Sequence, residues 1–395
     1  MRFDRRAQSA AKGHRPGRLN SRHVLPEPRI AIVSDPLVQR GGAERVVEAL
    51  AQAFPQAPIF ALLYSAQSGP SSLESRVRAS WLNRVPSANR RHRFFLPFYR
   101  QAIESFDLSE YDAIVSSHHT VGKGVLTRAD QVHVCYCHTP MRALWERPAA
   151  ELATLPAPAR PLAAAVFSNL REWDFVTASR VQHYVANSRA TQRRIATYYR
   201  RESTVIPPPI QTDFFTPGGD AADYYLVASR PVPYKRVDIA IEATGRLKRK
   251  LKIVGGKHTV SHAAPHVELL GSVSDEELRT LMRGARALLF PQHEDFGMTP
   301  LEMNACGRPV IAYGRGGALD SVIDGWTGIL VPEQTVPAFA SAIERLEQTQ
   351  FDPGALRAHA LAFSGDLFAE RMRAFVTQAW MSSRSPGDWA PPRAG

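Results

Sequence analysis

Two carboxylates with seven residues between them, Glu294 and Glu302, bracket the segment EDFGMTPLE. An apolar run from Ala287 to Phe290 precedes it and reads as a buried strand. A helix follows at Pro300, in the first turn, where a missing N–H is tolerated. Thr299 then stands at the N-cap, and Glu302, three residues on, has the capping-box spacing that would turn its carboxylate back onto the Thr299 N–H. A second reading gives the same residues to a ligand. Gly297 lets the backbone approach closely, and the N–H groups of Met298 and Thr299 at a helix tip suit a phosphate. Glu294 and Glu302 can accept hydrogen bonds from hydroxyls. Amides for a phosphate beside two such carboxylates describe a sugar phosphate better than a metal ion.

Cations for that phosphate come from a second loop, SRPVPYKR at residues 229–236, which again follows an apolar run. Arg230 can grip phosphate oxygens in pairs while Lys235 acts as a point charge, and together they would neutralise a diphosphate leaving group. The competing reading is a pair of solvated charges on a loop. In the first half, Gly41 and Gly42 lie between a strand and a helix, where two small residues permit close approach to a ligand. His138 follows the run from Val132 to Cys137 and stands where an α/β sheet presents ligand-binding groups, so it reads as a donor to substrate or as a structural histidine. Arg142 is a weaker candidate for the same cleft. The chain has neither a G-x-G-x-x-G fingerprint nor a G-x-x-x-x-G-K-[ST] loop, which argues against dinucleotide and P-loop chemistry.

These residues need strands to hold them. Arg29–Val33 reads as a buried parallel strand, followed by a helix from Ala43 to Ala53. Further strands are expected at 113–115, 132–135, 184–186 and 204–206. Pro207, Pro208 and Pro209 then break the pattern. The alternation restarts with strands at 225–228, 251–254, 267–270, 287–290 and 309–312. Helices are expected at 237–247, 275–284 and from about Pro300, and closing helices at 341–346 and 367–380. The segment from Leu152 to Val166 reads as a loop plus helix. Strands alternating with helices imply an α/β architecture. The expectation is two tandem Rossmann-like domains facing a central cleft, residues 29–206 and 207–365, with a basic tail at 1–28 and a closing segment at 366–395.

The bulk properties agree. The 395 residues suit two domains, 44% apolar and 22% charged is a globular balance, and a net charge of +12 favours anionic partners. Half of that excess sits in the first 24 residues, where seven basic residues face one acidic, with no apolar core of a signal peptide. The tail reads as a solvated extension or as an arm at a membrane surface. Cys135 and Cys137 share one face of a strand and match no zinc or disulfide spacing, so buried reduced thiols in a cytoplasmic protein are expected. The segment RRHRFFLPFYR at 90–100 mixes cations and rings. It suits an anionic bilayer surface, a core helix with a basic edge, or single-stranded nucleic acid.

Together the motifs resemble those of the GT-B glycosyltransferases of family 4. EDFGMTPLE resembles the family's E-x7-E motif, RGGAERVVEAL its first glycine loop, SRPVPYKR its diphosphate-binding Arg and Lys, and VANSRATQRRIATYYRRESTVIPPPI its domain-linking stretch. Within the family, CYCHTPMRALWE, REWD at 171–174 and CGRPVIAYGRGGALDSVIDG look most like bacterial mannosyltransferases that use GDP-mannose in polysaccharide assembly. The resemblance implies that Arg230 and Lys235 bind the donor diphosphate, Glu302 the nucleotide ribose, and Glu294 the transferred sugar. Phe296, Gly297, Met298 and Thr299 would complete the donor loop with Gly41 and Gly42, while His138 reaches the sugar from the other domain. It further implies a retaining, metal-independent hexosyltransferase without cofactor, in keeping with the lack of any D-x-D sequence. Its partners would be a nucleotide-sugar donor and a glycan or polyprenyl-diphosphate-linked acceptor, with an anionic membrane surface as a further partner and no nucleic acid. Its place would be the cytoplasm, at the inner face of the membrane where peripheral. Two rivals stand beside this reading. One is a nucleotide-sugar epimerase or hydrolase on the same scaffold, and the other is a basic nucleic-acid-binding protein.

Overall fold

A strand buried on both faces must be apolar along its length, and such runs organise the chain into two wholly parallel sheets. The computed structural model describes residues 27–229, 232–256 and 264–384. In the first sheet are β1 (Ile30–Ser34), β2 (Ile59–Ala61), β3 (Val77–Ala79), β4 (Ala113–His118), β5 (Val132–Cys137), β6 (His183–Ala186) and β7 (Ser203–Val205), in the order β3-β2-β1-β4-β5-β6-β7. The second holds β8 (Tyr225–Ala228), β9 (Leu251–Val254), β10 (Val267–Gly271), β11 (Leu288–Phe290), β12 (Val310–Tyr313) and β13 (Gly328–Val331), in the order β10-β9-β8-β11-β12-β13. Each sheet is therefore doubly wound. Strand order reverses between β1 and β4 in the first and between β8 and β11 in the second, the positions where such sheets open a crevice for ligands.

Alternate side chains feed cores on opposite faces of each sheet. In the first, Ile32 and Val115 pack with the Gly42–Ala53 helix, while Val33 and Ile114 pack with Tyr99 and Ile103. In the second, Leu226 and Leu288 join Met282 and Leu301, while Val227 and Leu289 join Ile239 and Phe339. Ile206 belongs to the first core and Ile210 to the second, so the three prolines between them carry the chain from one to the other. The last helix, Gly365–Ser383, places Phe368, Met372, Val376 and Trp380 in the first core with Ile32 and Val46, returning the chain to the domain where it began. Cys135 and Cys137 lie together in a buried cluster as free thiols.

The segment read as a loop plus helix is one: turns and a short 3-10 stretch, Ala157–Ala159, separate the end of the Pro148–Ala153 helix from the long Arg160–Thr177 helix, which accommodates Pro161 in its first turn. Of the basic tail, residues 1–26 lie outside the described residues, as do 385–395. No helix among the described residues is long and apolar enough to cross a membrane.

Candidate active site at the interdomain cleft

The two switch points face each other. Gly41 and Gly42 follow β1, and His138 follows β5. Lys235 follows β8, and the Glu294 loop follows β11. Gly41 caps the Gly42–Ala53 helix with extended backbone, and a Cβ there would lie 2.9 Å from the Glu44 carboxylate. A Cβ on Gly42 would stand 3.3 Å from the Met298 sulfur, so the first glycine loop touches the second domain's donor loop across the cleft.

Lys235 and Glu294 meet directly, the ammonium on Glu294 Oε1. Both side chains are largely buried, and the pair joins the loops after β8 and β11 at one point. Gly297 adopts φ +82°, a left-handed conformation that an L side chain resists, and a Cβ there would lie 2.7 Å from the Phe290 ring. Arg230 lies outside the described residues.

Two readings of this loop are corrected. Thr299 is the first helical residue rather than the cap. Met298 occupies the cap position in α conformation and makes no side-chain cap bond. The capping box is therefore absent, because Glu302 has a stronger partner: its Oε1 accepts from Arg45 Nη1 at 2.5 Å, from the first domain's opening helix. Burial pushes the Glu302 carboxyl up and the Arg45 guanidinium pulls it back, while Glu302 in turn raises Arg45. The Phe296 ring is 3% exposed, belongs to the second core and tilts against Phe363, which anchors the loop. Thr299 opens its helix, so its N–H has no partner within it.

His138 Nε2 lies 2.8 Å from Ser117 Oγ, and its ring packs edge-on to Tyr136 and His119. Burial, reinforced by His119, pushes its pKa down to about 3, so the imidazole is neutral at physiological pH. The loop after β4 is held by Asp35, whose buried carboxylate accepts the N–H groups of His119, Thr120, Val121 and Gly122 at 2.6 to 2.9 Å.

Sequence reasoning missed the charges that tie the domains together. Asp295 Oδ1 accepts from Arg194 Nη1 at 2.5 Å and lies 3.4 Å from Arg142 Nη1, while both arginines also engage Glu146. Ser188 Oγ donates to the Asp295 carbonyl at 2.6 Å, and the Arg189 N–H donates to Asp320 at 3.0 Å. Arg142, the weaker sequence candidate, is thus a seam residue. Its i,i+4 spacing to Glu146 was the one local signal. Behind the seam, Lys123 and Asp174 form an ion pair at 2.7 Å with both side chains at most 1% exposed, and Trp145 and Tyr199 also donate to Asp174. Among the described residues no group of His, Cys, Asp and Glu is arranged to hold a metal ion.

Known proteins resemble this chain in sequence and in fold. Residues 40–214 match the family model described as Glycosyltransferase Family 4, and residues 223–349 the model described as Glycosyl transferases group 1. A D-inositol 3-phosphate glycosyltransferase of Geodermatophilus obscurus is 30% identical over 234 residues, 49% of this chain and 52% of the relative. A GDP-mannose-dependent alpha-(1-6)-phosphatidylinositol monomannoside mannosyltransferase of Mycolicibacterium smegmatis is 30% identical over 199 residues, 40% of this chain and 50% of the relative. The chain thus spans about half the length of these two relatives. Among solved structures, sucrose-phosphate synthase of Thermosynechococcus elongatus superposes with a TM-score of 0.68 at 18% identity, over 90% of this chain and 100% of that one. Anabaena HepE in complex with UDP-glucose gives 0.64 at 18% identity, over 89% and 100%.

Proposed function

Because residues 40–214 and 223–349 match two glycosyltransferase family models that together span most of the chain, and the fold is GT-B, we propose that the chain is a retaining hexosyltransferase of family 4. It moves mannose from GDP-mannose onto a glycan or lipid-linked acceptor in cell-surface polysaccharide assembly. The donor assignment draws on the mannosyltransferase relative, whose name specifies GDP-mannose. The observation that carries the reading is the Lys235–Glu294 contact, which brings the cation assigned here to phosphate onto the carboxylate assigned to sugar hydroxyls, in loops after β8 and β11, while Gly42 of the other domain reaches Met298 of the same loop.

In this proposal the diphosphate lies against Lys235 and the backbone near Gly297 and Thr299. Glu294 Oε2 and Glu302 Oε2, neither engaged by protein among the described residues, accept from the sugar and the ribose. The bond from the sugar C1 to the diphosphate oxygen lengthens toward an oxocarbenium-like transition state. Lys235 stabilises the charge that develops on the departing oxygen. The acceptor hydroxyl adds to C1 on the face the diphosphate leaves, its proton passes to that diphosphate, and the anomeric configuration is retained. Neutral His138 acts as a hydrogen-bond partner of the sugar rather than as an acid. No metal or cofactor takes part.

The test combines a melting-point screen against GDP-, UDP-, dTDP- and ADP-sugars with product analysis. GDP-mannose is expected to raise the melting point most. Turnover is expected only with acceptor present, and the new linkage should keep the donor's anomeric configuration. Lys235→Ala and Glu294→Gln are each expected to lower kcat by about 100- to 1000-fold with the fold intact, the usual effect of removing one transition-state contact. Fast consumption of donor alone, or unchanged kcat in either variant, refutes the assignment.

A further inference from the structure

Between Glu74 and Glu104 the chain carries seven arginines and no acidic residue. Three of the seven are engaged by the fold. Arg76 donates to the carbonyls of Ala51, Phe54 and Ala57, Arg78 to Tyr111, and Arg100 to Asn169. Arg84, Arg90, Arg91 and Arg93 are exposed and form no ion pair among the described residues. Between them runs a 3-10 helix, His92–Phe98, whose period of three residues aligns Arg91, Phe94 and Pro97 on one exposed ridge. Phe94 is 80% and Phe98 50% exposed, while Phe95 and Leu96 pack on the first domain's core and Tyr99 OH donates to the His92 carbonyl at 2.8 Å. The rings are thus presented on a fixed base.

From this we propose that the 84–98 surface docks on an anionic lipid bilayer, with Phe94 and Phe98 in the headgroup layer and Arg84, Arg90, Arg91 and Arg93 against lipid phosphates. Charge complementarity and the posture of the rings select this partner. A single-stranded nucleic acid needs a groove in which bases stack and a backbone is tracked, whereas a ring 80% exposed stands clear of any wall. The surface is also continuous with the cleft. Burial, then Arg93 and then His119 push the His92 pKa down, so His92 lies near His119, and the His119 ring lies 6.1 Å from the His138 ring. A bilayer bound here brings a lipid-linked acceptor to the His138 side of the site. This last step alone rests on the proposed transferase reading.

The experiment is flotation of the full chain with vesicles of phosphatidylcholine and with vesicles of equal phosphatidylcholine and phosphatidylglycerol, in the absence of donor. Binding is expected to the anionic vesicles and to fall with salt. The triple variant R90A/R91A/R93A should weaken it on the order of 100-fold, and F94S/F98S at least about tenfold. Both variants should keep the melting-point rise that a nucleotide sugar gives the parent chain, which separates failure of docking from failure of the donor site. Equal binding to neutral vesicles, no binding at all, or undiminished binding by either variant overturns the proposal. So does loss of binding on deleting residues 1–26 when the patch variants bind normally. Oligonucleotide binding that these variants abolish, with no vesicle binding, assigns the surface to nucleic acid instead.

Discussion

Arg45→Ala removes the cation that holds Glu302, and the consequences can be worked from the pair's surroundings. The Glu302 side chain is 4% exposed and that of Arg45 26%, so the carboxylate is dry and the guanidinium only partly so. Breaking a fully buried pair costs about 3–5 kcal/mol. The exposure of Arg45 reduces that to about 2–3 kcal/mol here, a melting-point fall of roughly 5–10 °C. The sign of the pH dependence follows from the two opposing influences on Glu302. Burial already raises its folded pKa, and Arg45 opposes the rise, so the variant's carboxyl titrates higher still. A carboxyl raised in the fold takes up its proton there before it does in the unfolded chain, which recovers stability as pH falls. The deficit of Arg45→Ala is therefore largest near pH 8 and shrinks toward pH 5, by up to about 1.4 kcal/mol per pH unit. The double variant R45A/E302Q, with no buried charge left, should melt above the single one at pH 8. Thermal melts of parent, R45A, E302Q and R45A/E302Q from pH 5 to 8 read all of this. A deficit that is flat with pH, or a double variant no better than R45A, refutes the view that Glu302 is an ionised buried carboxylate held across the cleft.

Other expectations follow from single features of the fold. Lys123→Met leaves Asp174 buried without its cation and should cost about 3–5 kcal/mol in denaturant unfolding, with R90A/R91A/R93A as the surface control. His133 is fully buried on Ser116 Oγ with a pKa near 3, held down by burial. It contributes nothing above about pH 6.5, and stability should fall as the unfolded chain alone takes up the proton, by about 2 kcal/mol at pH 5. His133→Gln should flatten that part of the pH–stability curve. Gly297→Ala, with φ +82° and a Cβ 2.7 Å from the Phe290 ring, should lose about 1–3 kcal/mol by thermal melt and weaken the melting-point rise given by the donor.

The sheets were legible because parallel strands advertise themselves. Tyr225–Ala228 and Leu251–Val254 are unbroken apolar or nearly apolar runs bounded by polar residues, and the expected limits of β8 and β9 coincide with the observed ones. Of the unread strands, β13 is a short apolar run that was passed over, whereas β2 and β3 lack that signature. β3 is three residues with Arg78 at its centre, tolerable because it is an edge strand, and β2 is three residues inside a longer apolar stretch with no change of period to mark it. Lys235, Glu294 and Gly297 could be found for a related reason. A polar, glycine-bearing loop at the end of an apolar run is a local pattern, and local patterns survive in one dimension.

Arg45, Asp295 and Arg194 had no such pattern, since each acts on a residue of the other domain. Arg45 and Glu302 are 257 positions apart. Glu302 also shows how the inference goes wrong when local and distant options compete. The Thr299-x-x-Glu302 spacing offers one neutral N–H at a helix end, a bond worth about 1 kcal/mol. A guanidinium offers a charge-assisted bond of about twice that strength to a carboxylate that burial has already made costly to leave alone. The distant partner wins, and the backbone shows it. Met298 takes the cap position in α conformation, Thr299 becomes the first helical residue, and no side chain caps the helix. In this fold the loss of the local capping box and the pairing of Glu302 are one event, and the charge responsible sits on the opposite domain.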